Sequence, residues 1–147
     1  MKDWGNMKLL IDTNVVLDVL LRREPFFRTA AEVLNLTQRD EVREYVSASA
    51  ITDIYYIANK QMKDRDAVRD LLKRLLMVVS VAAVSEREIQ SALNLAWGDF
   101  EDSVQYSVAL LNEMDGIVTR NPSDYQEANI QIWLPEQALE LFANGGS

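Results

Sequence analysis

The chain is 147 residues long, carries a formal net charge of −8 and contains neither cysteine nor histidine. That length fits one domain spanning 1–147, and the missing residue types exclude disulfides, His/Cys zinc sites, Ser-His-Asp triads and any histidine general base. Polar chemistry is left to carboxylates, hydroxyls, amides, lysine and arginine; a carboxylate cluster without basic partners recruits hard cations such as Mg²⁺ or Mn²⁺.

Met7–Ile11 reads as a short buried strand, and Asp12-Thr13-Asn14 opens an apolar helix through Leu21. Pro25 suits the first turn of a second helix bearing Phe26, Phe27, Ala30, Ala31, Val33 and Leu34, whose apolar side is expected in the core. Glu44–Ser47 is a second strand, followed by a helix from about Ser49 through Asn59. The periodic segment Asp66–Leu76 is a helix within a locally basic stretch: residues 60–74 hold six basic against three acidic groups, whereas residues 85–147 hold eleven acids against two arginines. Met77–Val81 is β-branched and predicts a third strand, and Ser85-x-x-Glu88 is a capping box opening a helix that ends near Gly98. Asp99–Met114 predicts the next helix, Gly116–Thr119 a fourth strand, Gln131–Trp133 a fifth, and Pro135 starts a short C-terminal helix. The ends, 1–6 and 144–147, are expected to be flexible. Alternating strands and helices predict an α/β fold: a parallel sheet of four to five strands covered on both faces, in three layers α/β/α. No apolar stretch approaches bilayer length and no secretory leader is visible, so no membrane contact and a cytoplasmic location are expected.

In such a sheet, ligands bind outside the carboxyl ends of the strands. Asp12 follows strand one, Asp53 lies early in the helix after strand two, and Asp99 and Asp102 stand three apart at a helix start. Thr119, Asn121 and Asp124 follow strand four. Each residue has a purely structural alternative. Asp12 or Thr13 would serve as a helix cap, Asp99 is the best capping candidate, Asp53 would complement a helix dipole, and Asn121–Asp124 has the residues of a turn. Their common placement at strand ends favours a metal-binding crevice, because so many like charges repel unless a divalent cation neutralises them.

Three segments resemble one family, the PIN domains (PilT N-terminal). KLLIDTNVVLDVLL (8–21) is similar to the opening strand and helix of that family, and SASAITDIYYI (47–57) to an intervening segment in a bacterial subgroup. DFEDSVQYSVALLNEMDGIVTRNPSDY (99–125) resembles its later signature: an acidic helix start, then a strand ending in Thr-Arg-Asp or Thr-Arg-Asn. The resemblance implies a Mg²⁺- or Mn²⁺-dependent endoribonuclease. It also implies a homodimer silenced by a small antitoxin, as in toxins of toxin–antitoxin pairs. By position, Asp12 and Asp102 match the first and third family acids, and Asp99 an additional acid of the subgroup. These three are expected to hold metal. Asp53 stands where many members carry glutamate, and Asn121 where many carry a fourth aspartate, with Asp124 as a substitute. Thr13, Asn14, Thr119, Asn121 and Asp124 are the expected supporting residues, and Lys60, Lys63, Arg65 and Arg120 the expected nucleic-acid contacts. Two other readings compete: an RNA-binding or regulatory module with a decayed metal site, and a phosphotransferase using Asp12 as nucleophile. The second lacks the aspartate wanted two residues on, since Asn14 stands there.

Overall fold

A computed structural model describes residues 6–39, 41–125 and 128–142. The termini expected to be flexible lie outside the described residues, apart from Asn6. The described chain runs β1 (Met7–Ile11), α1 (Thr13–Leu20), α2 (Phe27–Leu34), a 3-10 turn (Asn35–Gln38), β2 (Val42–Ser47), α3 (Ala48–Met62) and α4 (Arg65–Leu75). It continues with β3 (Ser80–Ala82), α5 (Glu86–Leu93), α6 (Phe100–Leu111), β4 (Gly116–Val118), a second 3-10 turn (Pro122–Tyr125), β5 (Gln131–Trp133) and α7 (Pro135–Phe142). All the strands pair in parallel, in the order β3-β2-β1-β4-β5.

The central strand β1 carries the apolar run MKLLI, as a strand buried on both faces must. Leu9 and Ile11 face one core, shared with Val15 and Val16 of α1, Val33 of α2, Ile54 of α3 and Val68 of α4. Leu10 faces the other, with Ala92 of α5 and Val104, Val108 and Ala109 of α6. This is the expected three-layer α/β/α fold with five parallel strands. Ala30, Val33 and Leu34 of α2 are core residues, as their spacing predicts. No helix among the described residues is long and apolar enough to cross a membrane.

Helix α2 starts at Phe27, past Pro25, and α6 ends at Leu111 rather than Met114; two other boundaries differ for identifiable reasons. The third strand begins at Ser80, not Met77, because residues 76–79 are still bonded back to α4: Leu76 N–H to the Leu72 carbonyl at 3.0 Å and Val79 N–H to that of Leu75 at 3.0 Å. Met77 is accordingly 84% exposed despite its apolar, strand-like setting. Helix α5 stops at Leu93, well before Gly98, and the chain then turns Trp97 onto Tyr106, ring centroids 4.9 Å apart.

Gly116 in β4 has no room for a side chain, since an added Cβ would meet the Trp133 ring and come within 2.7 Å of the Gln131 carbonyl on β5. Gly116→Ala is therefore expected to cost about 2–3 kcal/mol by overpacking, read as a lower urea midpoint. An unchanged midpoint would show that β5 yields freely.

Candidate active site

Asp12 ends β1 and begins α1, and this position gives it two tasks. Its backbone is extended (φ −66°, ψ 150°) and its Oδ1 accepts the Thr13 N–H at 2.8 Å, so Asp12 itself caps the helix. Thr13, the alternative cap, leaves its buried hydroxyl without a hydrogen-bond partner among the described residues. The other oxygen of Asp12, Oδ2, accepts from the Thr119 hydroxyl at 2.7 Å, and Gln105 of α6 directs Nε2 toward Oδ1 at 3.5 Å. Thr119 arrives because β4 lies beside β1 in register, Ile11 opposite Val118. Asp12 is only 7% exposed. Burial pushes its carboxyl above the usual range, opposed by the bonds from Thr119, Thr13 and Gln105 and reinforced by the charge of Asp124.

Around it lie the acids at the start of α6. Asp99 is the helix cap, accepting the Asp102 N–H at 3.0 Å, as its place after Gly98 predicts. Asp102, one turn in and half-buried, is pushed up to about 7 by burial and then by the charges of Asp99, Asp124, Asp12 and Glu101. Asp124 thus joins the cluster, from the 3-10 turn after β4. Glu101 was not among the expected site residues. It too is pushed up to about 7, by partial desolvation and then by Asp53, whose side chain shares a hydrogen bond with it, and by Asp99 and Asp12. Asp53 therefore reaches the site by adjoining Glu101. The helical phase that puts Asp99 and Asp102 on one face would turn Glu101 away, which is why spacing alone missed it.

Two further buried groups surround the acids. Gln105 is 1% exposed with Oε1 unpartnered, and Tyr125 is 2% exposed with its hydroxyl unpartnered among the described residues. Burial and the charges of Asp12, Asp102, Asp124 and Glu101 hold the Tyr125 hydroxyl firmly protonated.

Other expected residues sit as follows. Asn14 is half-buried in the first turn of α1. Asn121 contributes its backbone, N–H to the Thr119 hydroxyl at 3.1 Å, which steadies the group bonded to Asp12. Lys60 lies further along α3 than Asp53 by about 10 Å of helical rise, while Lys63 is the left-handed cap ending α3 and Arg65 starts α4. These three bases are thus set away from the acids. Arg120 is committed elsewhere: it donates Nε to Asp18 Oδ2 at 2.6 Å, beneath the protein surface, and lies 3.9 Å from the Phe26 ring centre. Asp18 itself is fully buried, so the pair is structural.

The donor set fits a hard divalent cation: every strong ligand is oxygen, and burial and acidic neighbours push Asp102 and Glu101 up to about 7. Among the described residues no group of three or more acidic side chains forms a ready ion cage. A cation held here would keep several waters, as Mg²⁺ commonly does.

Comparison with known proteins bears on the family and the fold. A family model described as PIN domain matches residues 8–123. No curated protein matches the chain by sequence. Among solved structures, VapBC2 from Rickettsia felis, bound to a DNA fragment from its promoter, aligns with a TM-score of 0.62 at 13% identity, over 86% of this chain and 99% of that one. A toxin-antitoxin complex from Klebsiella pneumoniae aligns with a TM-score of 0.62 at 18% identity, over 86% of this chain and 97% of that one. Mycobacterium tuberculosis VapC20, described as a sarcin-ricin loop cleaving toxin, aligns with a TM-score of 0.58 at 17% identity, over 74% and 86%.

Proposed function

The chain belongs to the PIN-domain family, and from that premise we propose that it is a divalent-metal-dependent endoribonuclease, hydrolysing RNA phosphodiester bonds as the toxin of a toxin–antitoxin pair. The observation that carries this reading is the buried Asp12 carboxylate, held by Thr119 and coupled electrostatically to Asp102, Asp124 and Glu101. The similarity in fold to toxin–antitoxin structures supports a small antitoxin as partner. RNA as substrate, a homodimer and a cytoplasmic location complete the proposal.

Asp12 and Asp102 would hold Mg²⁺ or Mn²⁺, with Asp99 and Asp53 completing or orienting the shell. Such a cation, when bound, supplies a water of lowered pKa and charge stabilisation at a phosphodiester. The chain's own residues do the rest. Thr119 and the Thr13 N–H fix both oxygens of Asp12, so its carboxylate needs little reorganisation. Tyr125, buried beside the acids and packed edge-on against Trp97, lowers the local dielectric and strengthens their field. Glu101, pushed up to about 7 by partial desolvation and then by Asp53, is a group suited to hold or move a proton at the leaving oxygen. Lys60, Lys63 and Arg65 would meet an RNA backbone only if it runs along α3. Purified protein with Mn²⁺ and an RNA panel tests the proposal; cleavage that survives chelator would refute it.

A second reading, a regulatory RNA-binding module with a decayed metal site, is favoured by Asn121 at the fourth acid position and by the lack of a ready ion cage among the described residues. Calorimetry separates the two. Asp102 and Glu101, both pushed up to about 7, must lose protons to bind a cation. Mn²⁺ affinity is therefore expected to rise about tenfold or more between about pH 6 and about pH 8, with proton release. Absent or pH-independent binding would favour the decayed site.

A further inference from the structure

At the amino ends of β2 and β3, the end of the sheet away from the acidic site, lies a cavity of about 280 Å³ lined by Thr37, Arg43, Glu44, Val78 and Ser80 among others. Glu44 is the unusual member. It stands opposite Leu9 of β1 in the parallel register and faces the same core, yet it is a carboxylate, 2% exposed. Neither of its oxygens has a hydrogen-bond partner among the described residues. A carboxylate with both oxygens buried and unpaired costs stability that a hydrophobic residue in a strand centre would not. Arg43, next along β2, projects from the opposite side of the pleat and makes no bond to Glu44.

The chemistry of the cavity selects its occupant. Few side-chain oxygens are available to a metal ion: the Thr37 hydroxyl is already donated to the Leu34 carbonyl at 2.9 Å, leaving Ser80 and Tyr45 beside Glu44. A hard cation wants six or more oxygens. Two free carboxylate oxygens instead match the planar fork of a guanidinium, which donates two parallel hydrogen bonds. Val78 at the cavity is 39% exposed, and Leu76 and Met77 beside it are 49% and 84% exposed. Such an apolar border suits the methylene stem of an arginine and the surface that carries it.

We propose that this cavity receives an arginine of a partner protein, its guanidinium paired through two hydrogen bonds with Glu44 once that buried side chain turns into the cavity. The site is independent of the acidic cluster, so its fate does not depend on nuclease activity. Burial alone holds the Glu44 carboxyl well above the usual range, and an incoming cation would relieve that cost.

The test uses Nα-acetyl-arginine methylamide as probe, followed by NMR on the full chain, with the lysine and citrulline analogues as controls. Expected is binding in the millimolar range, with shifts of the Glu44, Val78 and Ser80 amides. The lysine analogue should bind more weakly and the neutral citrulline analogue not at all. Glu44→Gln, its fold verified by the same spectrum, should weaken the arginine probe at least about tenfold. Val78→Trp, which blocks the cavity but keeps the carboxyl, should do the same. The proposal is overturned by equal binding of citrulline or lysine analogue, by full binding to Glu44→Gln or Val78→Trp, by shifts confined to the acidic cluster, or by no shift with tens of millimolar probe.

Discussion

Asp12→Asn is expected to lower Mn²⁺-dependent RNA cleavage about a hundred- to a thousandfold, the scale on which removal of one preorganised charge-stabilising group is felt. The substitution preserves shape. Asparagine keeps an oxygen for the Thr13 N–H, and the Thr119 hydroxyl can turn to accept from the new amide. It also removes a carboxyl that burial has pushed up, so thermal stability without metal should hold or rise at neutral pH. Lost activity with preserved or increased Tm marks Asp12 as a functional group kept against a stability cost. Undiminished cleavage in the variant would remove Asp12 from the mechanism. Asp102→Asn should behave alike, since its carboxyl is also raised, to about 7, by burial and by its acidic neighbours.

Glu44→Leu should stabilise the protein on the order of 2 kcal/mol at neutral pH, the scale of replacing a poorly compensated buried charge by a hydrophobic residue. Glu44 is 2% exposed and lacks partners, so its cost is desolvation alone. The pH dependence follows from the folded carboxyl titrating above the unfolded one. Below the unfolded value both states are protonated and the glutamate costs little. As pH rises past it, the unfolded chain ionises while the folded chain holds its proton, and native stability falls. The advantage of leucine is therefore expected to be small near pH 4 and to widen toward pH 7, measured by urea unfolding at both. A constant gap, or a less stable leucine variant at neutral pH, would mean that Glu44 has a stabilising partner. Any such gain should shrink when the arginine probe occupies the native cavity.

Much of the candidate site can be read from residue types and their order. With no histidine or cysteine, any metal must bind oxygen, and that follows from composition. The run MKLLI before Asp12 marks a central strand because apolar continuity reflects burial on both faces. Asp99 as a cap follows from local hydrogen bonding, which spans only three residues. The strand misplaced at Met77 shows where local preference fails: β-branched residues favour a strand, but the carbonyls of α4 claim those N–H groups first.

What remained hidden depends on neighbours distant in sequence. Thr119, expected among the supporting residues, meets Asp12 through the pairing of β4 with β1, whereas the bond from Arg120 to the buried Asp18 joins residues far apart in sequence. Glu101 gains its role from Asp53, carried on another helix. Glu44 loses its water only through tertiary packing, with Thr37 of the Asn35–Gln38 turn and Ser80 of β3 beside it. Composition and periodicity report which atoms are available and which face of an element is apolar. Charge states and pairings depend on desolvation and on separations of a few ångströms, and those exist only once the strands have been ordered.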